Sequence, residues 1–428
     1  MAARRITIWI IFLYISALKD VSSEFTCEID NDVDSKVISC SSNDTSFNGN
    51  VVQRDKMADF KNATTLLLAA CKLGVIDPDA FEVLPLLKKL DLSTNYIVQI
   101  IDGTFDYLTE LEELNLADNF LEDLPVDLFR LNNKLKRLNL NSNLFYNLEV
   151  GIFDMLVDLK YLDVSSNLLA GKNWNPDIFK NIIEISSLRF SANDMSESPN
   201  NLLSSLKKLS IIELKNCHLN EYPTFLKTAD LKTLIILNLK KNRIHKIDED
   251  AFQNFEKLFL LNLSFNRIEY IDENSFKTLK ELKFLTLKKN RLLTIPTGLF
   301  SSTYKLFLLD LSRNKITVIQ DDLFKRTDLN NLNLSHNKLT YLQRNFCKQQ
   351  KNTRAALKVF YFNHNPWQCA CLRDLLGEIK GLGIKYNTTY FDGGQPVCVT
   401  TKEFVCKRQE HFNSFYVDLF DSTIPNIL

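Results

Sequence analysis

LNLSFN, Leu261 to Asn266, is one copy of a six-residue frame that returns along most of the chain. LDLSTN ends at Asn95, LNLADN at Asn119, LNLNSN at Asn143, LDVSSN at Asn167 and LRFSAN at Asn193. LNLKKN ends at Asn242, LTLKKN at Asn290, LDLSRN at Asn314 and LNLSHN at Asn337. LLLAAC at Cys71, IELKNC at Cys217 and FYFNHN at Asn365 fit the same frame. Most neighbours are 24 residues apart, and the exceptions are 26 before Asn193, 25 before Asn242, 23 before Asn337 and 28 before Asn365. A fixed period of this length means a solenoid in which each turn is one structural unit. The L-x-L segment alternates apolar and variable residues, as a strand with one buried face does. One such strand has no partner within its own turn, so parallel pairing must come from the next. The closing Asn turns inward, where its amide can satisfy backbone groups that the coil would otherwise strand.

A second register lies ten residues past most ladder positions and is occupied by Phe81, Phe105, Phe129, Phe153, Phe252, Phe276, Phe300 and Phe324. Phe179, Phe225 and Phe346 sit within two residues of it. One ring per turn predicts a stacked core spine, which accounts for much of the 30 Phe in the chain. Cys71 and Cys217 hold ladder positions and are expected as buried free thiols.

The frame resembles the leucine-rich repeat, L-x-x-L-x-L-x-x-N/C-x-L, over residues 61–365. That resemblance implies an α/β-type solenoid, a horseshoe whose concave parallel β-sheet has about thirteen repeats and whose ends are closed by disulfide caps. Both ends of such a coil expose apolar cross-section and need covering. Residues 24–60, with Cys27 and Cys40, form the expected N-terminal cap. NPWQCACL, Asn365 to Leu372, continued by Cys398 and Cys406, is similar to the cysteine-rich C-terminal flank of extracellular family members, here residues 366–408, followed by a short tail, 409–428. The family pairs first with third and second with fourth cysteine, which implies Cys369–Cys398 and Cys371–Cys406. The short gap between Cys398 and Cys406 departs from the longer vertebrate-type flank and leaves the pairing open. Cys347 makes the count odd. It reads as another buried thiol, with an intermolecular bridge and a homodimer as the sharper alternative.

Arg4 and Arg5 precede an apolar run, Ile6 to Leu18, followed by Ser22 and Ser23, the order of a signal peptide over residues 1–23. Thirteen helical residues reach roughly 20 Å, short of the ~30 Å apolar core of a bilayer. A secreted, extracellular chain without a membrane span is expected, in a compartment where cysteines pair. Sequons at Asn43, Asn62, Asn262, Asn333 and Asn387 are expected glycosylation sites. Asn262 and Asn333 lie in the middle of L-N-L-S, where a glycan would obstruct the inner face.

Fifty-two basic and 52 acidic side chains give zero net charge, which excludes a chain basic overall. An apolar fraction of 45% excludes wholesale disorder. No G-x-x-x-x-G-K-[ST], G-x-S-x-G or H-E-x-x-H is present, so no enzyme, cofactor or metal is expected. His336 and His364 precede ladder positions of successive repeats and should lie side by side, without a third ligand nearby.

Recognition is therefore expected on the inner strands. The candidate contacts are Lys89, Asp91, Glu113, Asp118, Arg137, Tyr161, Asp163, Arg189, Glu213, Lys215, Lys240 and Lys241. Trp174, on the irregular stretch AGKNWNPDIF, is a further candidate anchor, with a repacked insertion as the favoured reading. Charge is segregated: residues 75–168 carry 7 basic and 17 acidic side chains, whereas 240–350 carry 20 basic and 12 acidic. A sulfated glycan fits the basic repeats, and no dedicated motif supports nucleic acid. The resemblance to Toll-type and Slit-type ectodomains, with an invertebrate-like flank, implies a non-enzymatic scaffold binding an extracellular host protein. A humoral immune factor that recognises microbial surfaces or carries defence proteins is the alternative. Matrix assembly through the charge gradient is the third reading.

Overall fold

A computed structural model describes residues 25–32, 35–42, 50–351, 357–387, 396–399, 404–408 and 413–423. The expected signal peptide and Asn43 lie outside the described residues. The chain forms two compact units, Met1–Glu213 with Thr228–Asp230, and Leu214–Lys227 with Leu231–Leu428. Each is a run of solenoid turns.

In the first unit an antiparallel hairpin, Phe25–Asp32 and Ser35–Ser42, sets Cys27 opposite Cys40 and is closed by their disulfide. Its second strand continues in parallel into Thr65–Leu67, so the cap supplies the first turn with a hydrogen-bonded neighbour. Strands Lys89–Asp91, Glu113–Asn115, Arg137–Asn139, Tyr161–Asp163, Ser187–Arg189 and Ile211–Glu213 follow in register. In the second unit the parallel strands are Ile236–Asn238, Leu260–Asn262, Phe284–Thr286, Leu308–Asp310, Asn331–Asn333 and Val359–Tyr361. Each has three residues, with its central Leu, Ile or Phe buried. Full burial of each such side chain contributes about 1.5–3 kcal/mol, so thirteen repeats build a core that no single turn could.

Eleven of the thirteen turns end on the same device, the other two on Cys71 and Cys217. Asn266 donates from Nδ2 to the carbonyl of Leu239 in the preceding turn (3.0 Å) and of Leu263 in its own (3.0 Å). Its Oδ1 accepts the Ile244 amide at 3.1 Å, again one turn back. One buried side chain thus links two turns and meets a backbone donor that the loop leaves unpaired. The residue before each ladder position lies in the left-handed region, from Ala70 (φ 57°) through Phe265 (φ 58°) to His364 (φ 52°). None of these thirteen residues is glycine.

The Phe register forms a run of ring contacts in both units: stacked at Phe81–Phe105 (6.2 Å) and Phe105–Phe129 (6.3 Å), then tilted at Phe252–Phe276 (5.6 Å), Phe276–Phe300 (6.2 Å) and Phe300–Phe324 (5.7 Å). Leu202 and Leu203 are buried in the repeat that lacks the ring.

The C-terminal flank closes the second unit. Trp367 is fully buried and donates from Nε1 to the Phe362 carbonyl at 2.8 Å. The helix Cys369–Leu382 begins directly after it and ends at Gly383, in the left-handed conformation (φ 65°) that lets its amide reach the Ile379 and Lys380 carbonyls. Disulfides Cys369–Cys398 and Cys371–Cys406 fasten the flank to this helix. Each contributes about 2–4 kcal/mol by restricting the unfolded chain. Cys71, Cys217 and Cys347 are free and buried. Burial pushes the Cys71 thiol up to about 11 and holds that of Cys347 well above its ordinary value. Cys347 therefore offers no surface sulfur for the intermolecular bridge that its odd count had suggested.

Candidate functional site

In-register pairing sorts the strand residues that flank the buried central position in the first unit into two columns. One contains Lys89, Glu113, Arg137, Tyr161, Ser187 and Ile211, and the other Asp91, Asn115, Asn139, Asp163, Arg189 and Glu213. Eight of the sequence candidates fall into these columns, while Asp118 is exposed in the turn beyond its strand.

Lys89 and Glu113 are ion-paired at 3.4 Å. The Arg137 guanidinium lies 4.2 Å from the Tyr161 ring centroid, and that of Arg189 lies 5.4 Å from it. The Tyr161 hydroxyl donates to Asp163 at 3.1 Å. Burial and the adjacent Asp163 carboxylate raise the phenol's pKa, so this donor keeps its proton through the physiological range. A tyrosine held by two arginines is a stiff, amphipathic surface of the kind that anchors protein interfaces.

One candidate needs correction, and for Trp174 the repacked insertion holds rather than the anchor. Asp163 is only 6% exposed and also accepts the Ser165 amide at 2.9 Å, so it orients its neighbours rather than facing solvent. Trp174 is buried against Phe179 (5.7 Å) and Phe190 (5.4 Å) and fills the core beneath the irregular repeat. Asp91 is engaged in part, accepting from the Ser93 amide and hydroxyl and from Asn115 Nδ2 at 3.0 Å.

Lys215, Lys240 and Lys241 lie in the second unit. Lys240 stands 5.2 Å from the Phe265 ring. The strand positions here are more apolar: Ile236, Leu260, Phe284 and Leu308 align in one column. Lys283 Nζ lies between the rings of Phe259, Phe284 and Phe307, at 5.8, 5.8 and 5.4 Å. Sequence reasoning missed this cluster, although an apolar residue directly before L-x-L in four successive repeats was its signal. The sequon residues Asn262 and Asn333 occupy the other column, and each Oδ1 accepts from the serine two residues on, Ser264 or Ser335. Asn62 is exposed and Asn387 half-buried.

His336 and His364 stack at 4.1 Å. Burial, then the charges of His364, Arg313 and Lys288, push His336 down to about 4. No group of three metal-ligating side chains occurs among the described residues. No helix among them is long and apolar enough to cross a membrane.

The model of the leucine rich repeat matches residues 61–121, 109–169, 232–292 and 282–339, and that of the BspA type leucine rich repeat region matches 152–258. No individual curated protein matches the chain significantly by sequence. Among solved structures, the Leptospira interrogans LRR protein LIC12759 is similar, with 23% identity and a TM-score of 0.64, covering 81% of this chain and 95% of that one. The leucine-rich repeat domain of APL1B gives 22%, 0.56, 78% and 92% in the same order. A chain of the Drosophila Toll–Spatzle complex gives 19%, 0.58, 82% and 54%. At these identities the likeness concerns the fold. With the repeat model covering just over half of the sequence, and with the ladder and spine of the structure, the chain belongs to the leucine-rich-repeat family.

Proposed function

We propose that the chain is an extracellular, non-enzymatic recognition module that binds a protein partner through the strand face of its first unit. The observation that carries this reading is the Arg137–Tyr161–Arg189 cluster, set in a run of repeats that is acidic overall. It combines two of the three residue types that most often dominate interface energies with a geometry fixed before binding, so little side-chain entropy is lost when the partner docks. Three disulfides support an oxidising compartment, and the basic-apolar leader at residues 4–18 supports export. A protein partner, rather than a small molecule, suits a broad face of short strands. Glycans at Asn262 and Asn333 would direct such a partner toward the first unit.

The test is capture of host-cell surface protein by the secreted chain and by its Arg137→Ala and Tyr161→Ala variants. Loss of a central anchor of this type costs about 2 kcal/mol or more, a weakening of at least tenfold. Unchanged capture by both, with normal secretion, refutes the proposed face. Capture lost instead on Phe284→Ala places the partner on the apolar column of the second unit.

A further inference from the structure

Cations in this molecule follow two different habits. On the strand-entry side four are neutralised one turn away: Lys134 by Glu110 (2.5 Å), Lys136 by Glu112 (2.7 Å), Lys208 by Glu184 (2.5 Å) and Lys305 by Glu281 (2.7 Å). In the turns after the strands of the second unit Arg291 is paired with Glu269 (3.0 Å) and Lys338 with Asp421 (2.6 Å), while six others are not. Lys241, Arg243, Arg267, Lys289, Arg313 and Lys315 are exposed, and none forms an ion pair among the described residues. Four of them, Lys241, Arg243, Arg267 and Lys289, line one open pocket of about 400 Å3. The pocket also contains His218, Asn216, the ladder residues Asn242 and Asn266, and Phe265, and it has no carboxylate. Its volume is within the ~300–1,000 Å3 range of ligand sites.

Uncompensated like charges held together by a rigid coil repel one another and destabilise the fold unless an anion joins them. The solenoid holds them because ladder positions fix each turn: Lys241 and Lys289 are themselves the left-handed residues (φ 60° and 56°) before Asn242 and Asn290. Repeats follow one another at ~4.8 Å, so the cations form a stepped row rather than a single point site. Arg313 and Lys315 extend that row by one more turn.

We propose that this row, from Lys241 to Lys315, is a binding site for a linear sulfated polysaccharide. It is distinct from the protein-binding face of the first unit and does not depend on it. The lining of the pocket argues against two other polyanion classes, and the double-stranded DNA comparator below tests a third. An acidic protein would need an apolar centre shielded from water, and the pocket has a single aromatic ring, Phe265, already bracketed by the Lys240 and Lys289 ammonium groups at 5.2 Å each. Single-stranded nucleic acid would need successive free rings for its bases to stack on, which this lining lacks. Sulfate groups along a sugar chain require only regularly spaced donors, and counterion release supplies the affinity.

The probe is heparin, with double-stranded DNA and poly-glutamate of matched length as comparators, against the full secreted chain. Heparin binding should be saturable and tighter than to either comparator, and it should weaken steeply with salt. Lys241→Gln/Arg243→Gln/Arg267→Gln/Lys289→Gln should weaken it at least tenfold at physiological ionic strength. The slope of log affinity against log salt should become shallower by about three, at ~0.7–0.9 for each cation removed. Lys134→Gln/Lys208→Gln/Lys305→Gln removes paired cations and should leave binding within twofold. Should the quadruple variant fold poorly, Arg243→Gln/Arg267→Gln alone should still weaken binding severalfold. Equal loss in the paired-cation control overturns the site, and so does undiminished binding by the site variants. Tighter binding to DNA or poly-glutamate overturns the polysaccharide assignment. None of these outcomes bears on capture through Tyr161.

Discussion

Replacing Asn119 by alanine tests the ladder at its most informative point. Asn119 is 5% exposed and donates to the carbonyls of Leu92 (3.0 Å) and Leu116 (3.2 Å), and its Oδ1 accepts the Ile97 amide at 3.1 Å. The two carbonyls are each shared with a second ladder residue: Leu92 with Asn95 at 2.9 Å and Leu116 with Asn143 at 2.9 Å. After Asn119→Ala both carbonyls keep a donor, while the buried Ile97 amide loses its acceptor. One orphaned buried donor costs about 1–3 kcal/mol, and two lost shared bonds add about 0.5 kcal/mol each. The expected destabilisation is about 2–4 kcal/mol, read as the shift in the urea midpoint at constant slope. Amide exchange at Ile97 should accelerate more than at Leu114, whose strand bonds do not involve the ladder. Asn115→Ala, half-buried in the strand column beside it, loses the bond from the Ala117 amide (3.2 Å) and that to Asp91 (3.0 Å) but no bond to the preceding turn's backbone, and should cost less than Asn119→Ala. A shift below about 0.5 kcal/mol for Asn119→Ala, with Ile97 still protected, would refute the view that ladder amides hold successive turns together.

Three further outcomes follow from the same structure. Trp174→Ala should destabilise by about 3–5 kcal/mol in thermal or urea unfolding, and its folded fraction should capture partner as wild type does, because the indole fills core. Burial with the charges of His364, Arg313 and Lys288 lowers the folded pKa of His336 from 6.5 to about 4, so the unfolded chain binds more protons between these values. Stability should therefore fall as pH drops from about 6.5 toward 4, and His336→Phe should flatten that part of a melting-temperature profile. Cys71, Cys217 and Cys347 should resist a maleimide in the native chain and react together once it unfolds, since all three are buried.

The solenoid was legible because its signals repeat. L-x-L and the ladder residue recur in thirteen turns and the Phe register in most of them, so each turn confirms the others, and the buried Leu, Asn and ring positions stand where that period puts them. The left-handed residue before each ladder position was not legible. Thr94, Asp118, Ala192, Lys241, Phe265 and Arg313 all occupy it, so no residue type marks a geometry imposed by the coil. Strand-face residues were legible as a set of positions but not in their individual roles. Nothing in LDVSSN distinguishes an aspartate facing solvent from one that accepts the Tyr161 hydroxyl and the Ser165 amide. Local irregularity was equally opaque: AGKNWNPDIF announces a departure from the period, yet whether its indole turns in or out depends on the space left by rings in neighbouring turns. Pairing of charges across turns was readable in principle from Lys and Glu spaced by 24 residues. That same arithmetic separates the neutralised cations of the strand-entry side from the free row of the second unit.

The central claim is recognition of an extracellular protein through the first unit's strand face. Binding of the tagged, secreted chain to host-cell surfaces and to microbial particles, side by side, with and without protease treatment of each surface, tests it most directly. The account predicts saturable binding to host cells that protease abolishes and that Arg137→Ala and Tyr161→Ala weaken at least tenfold. Binding to microbial particles alone, or host-cell binding that survives protease, would contradict it.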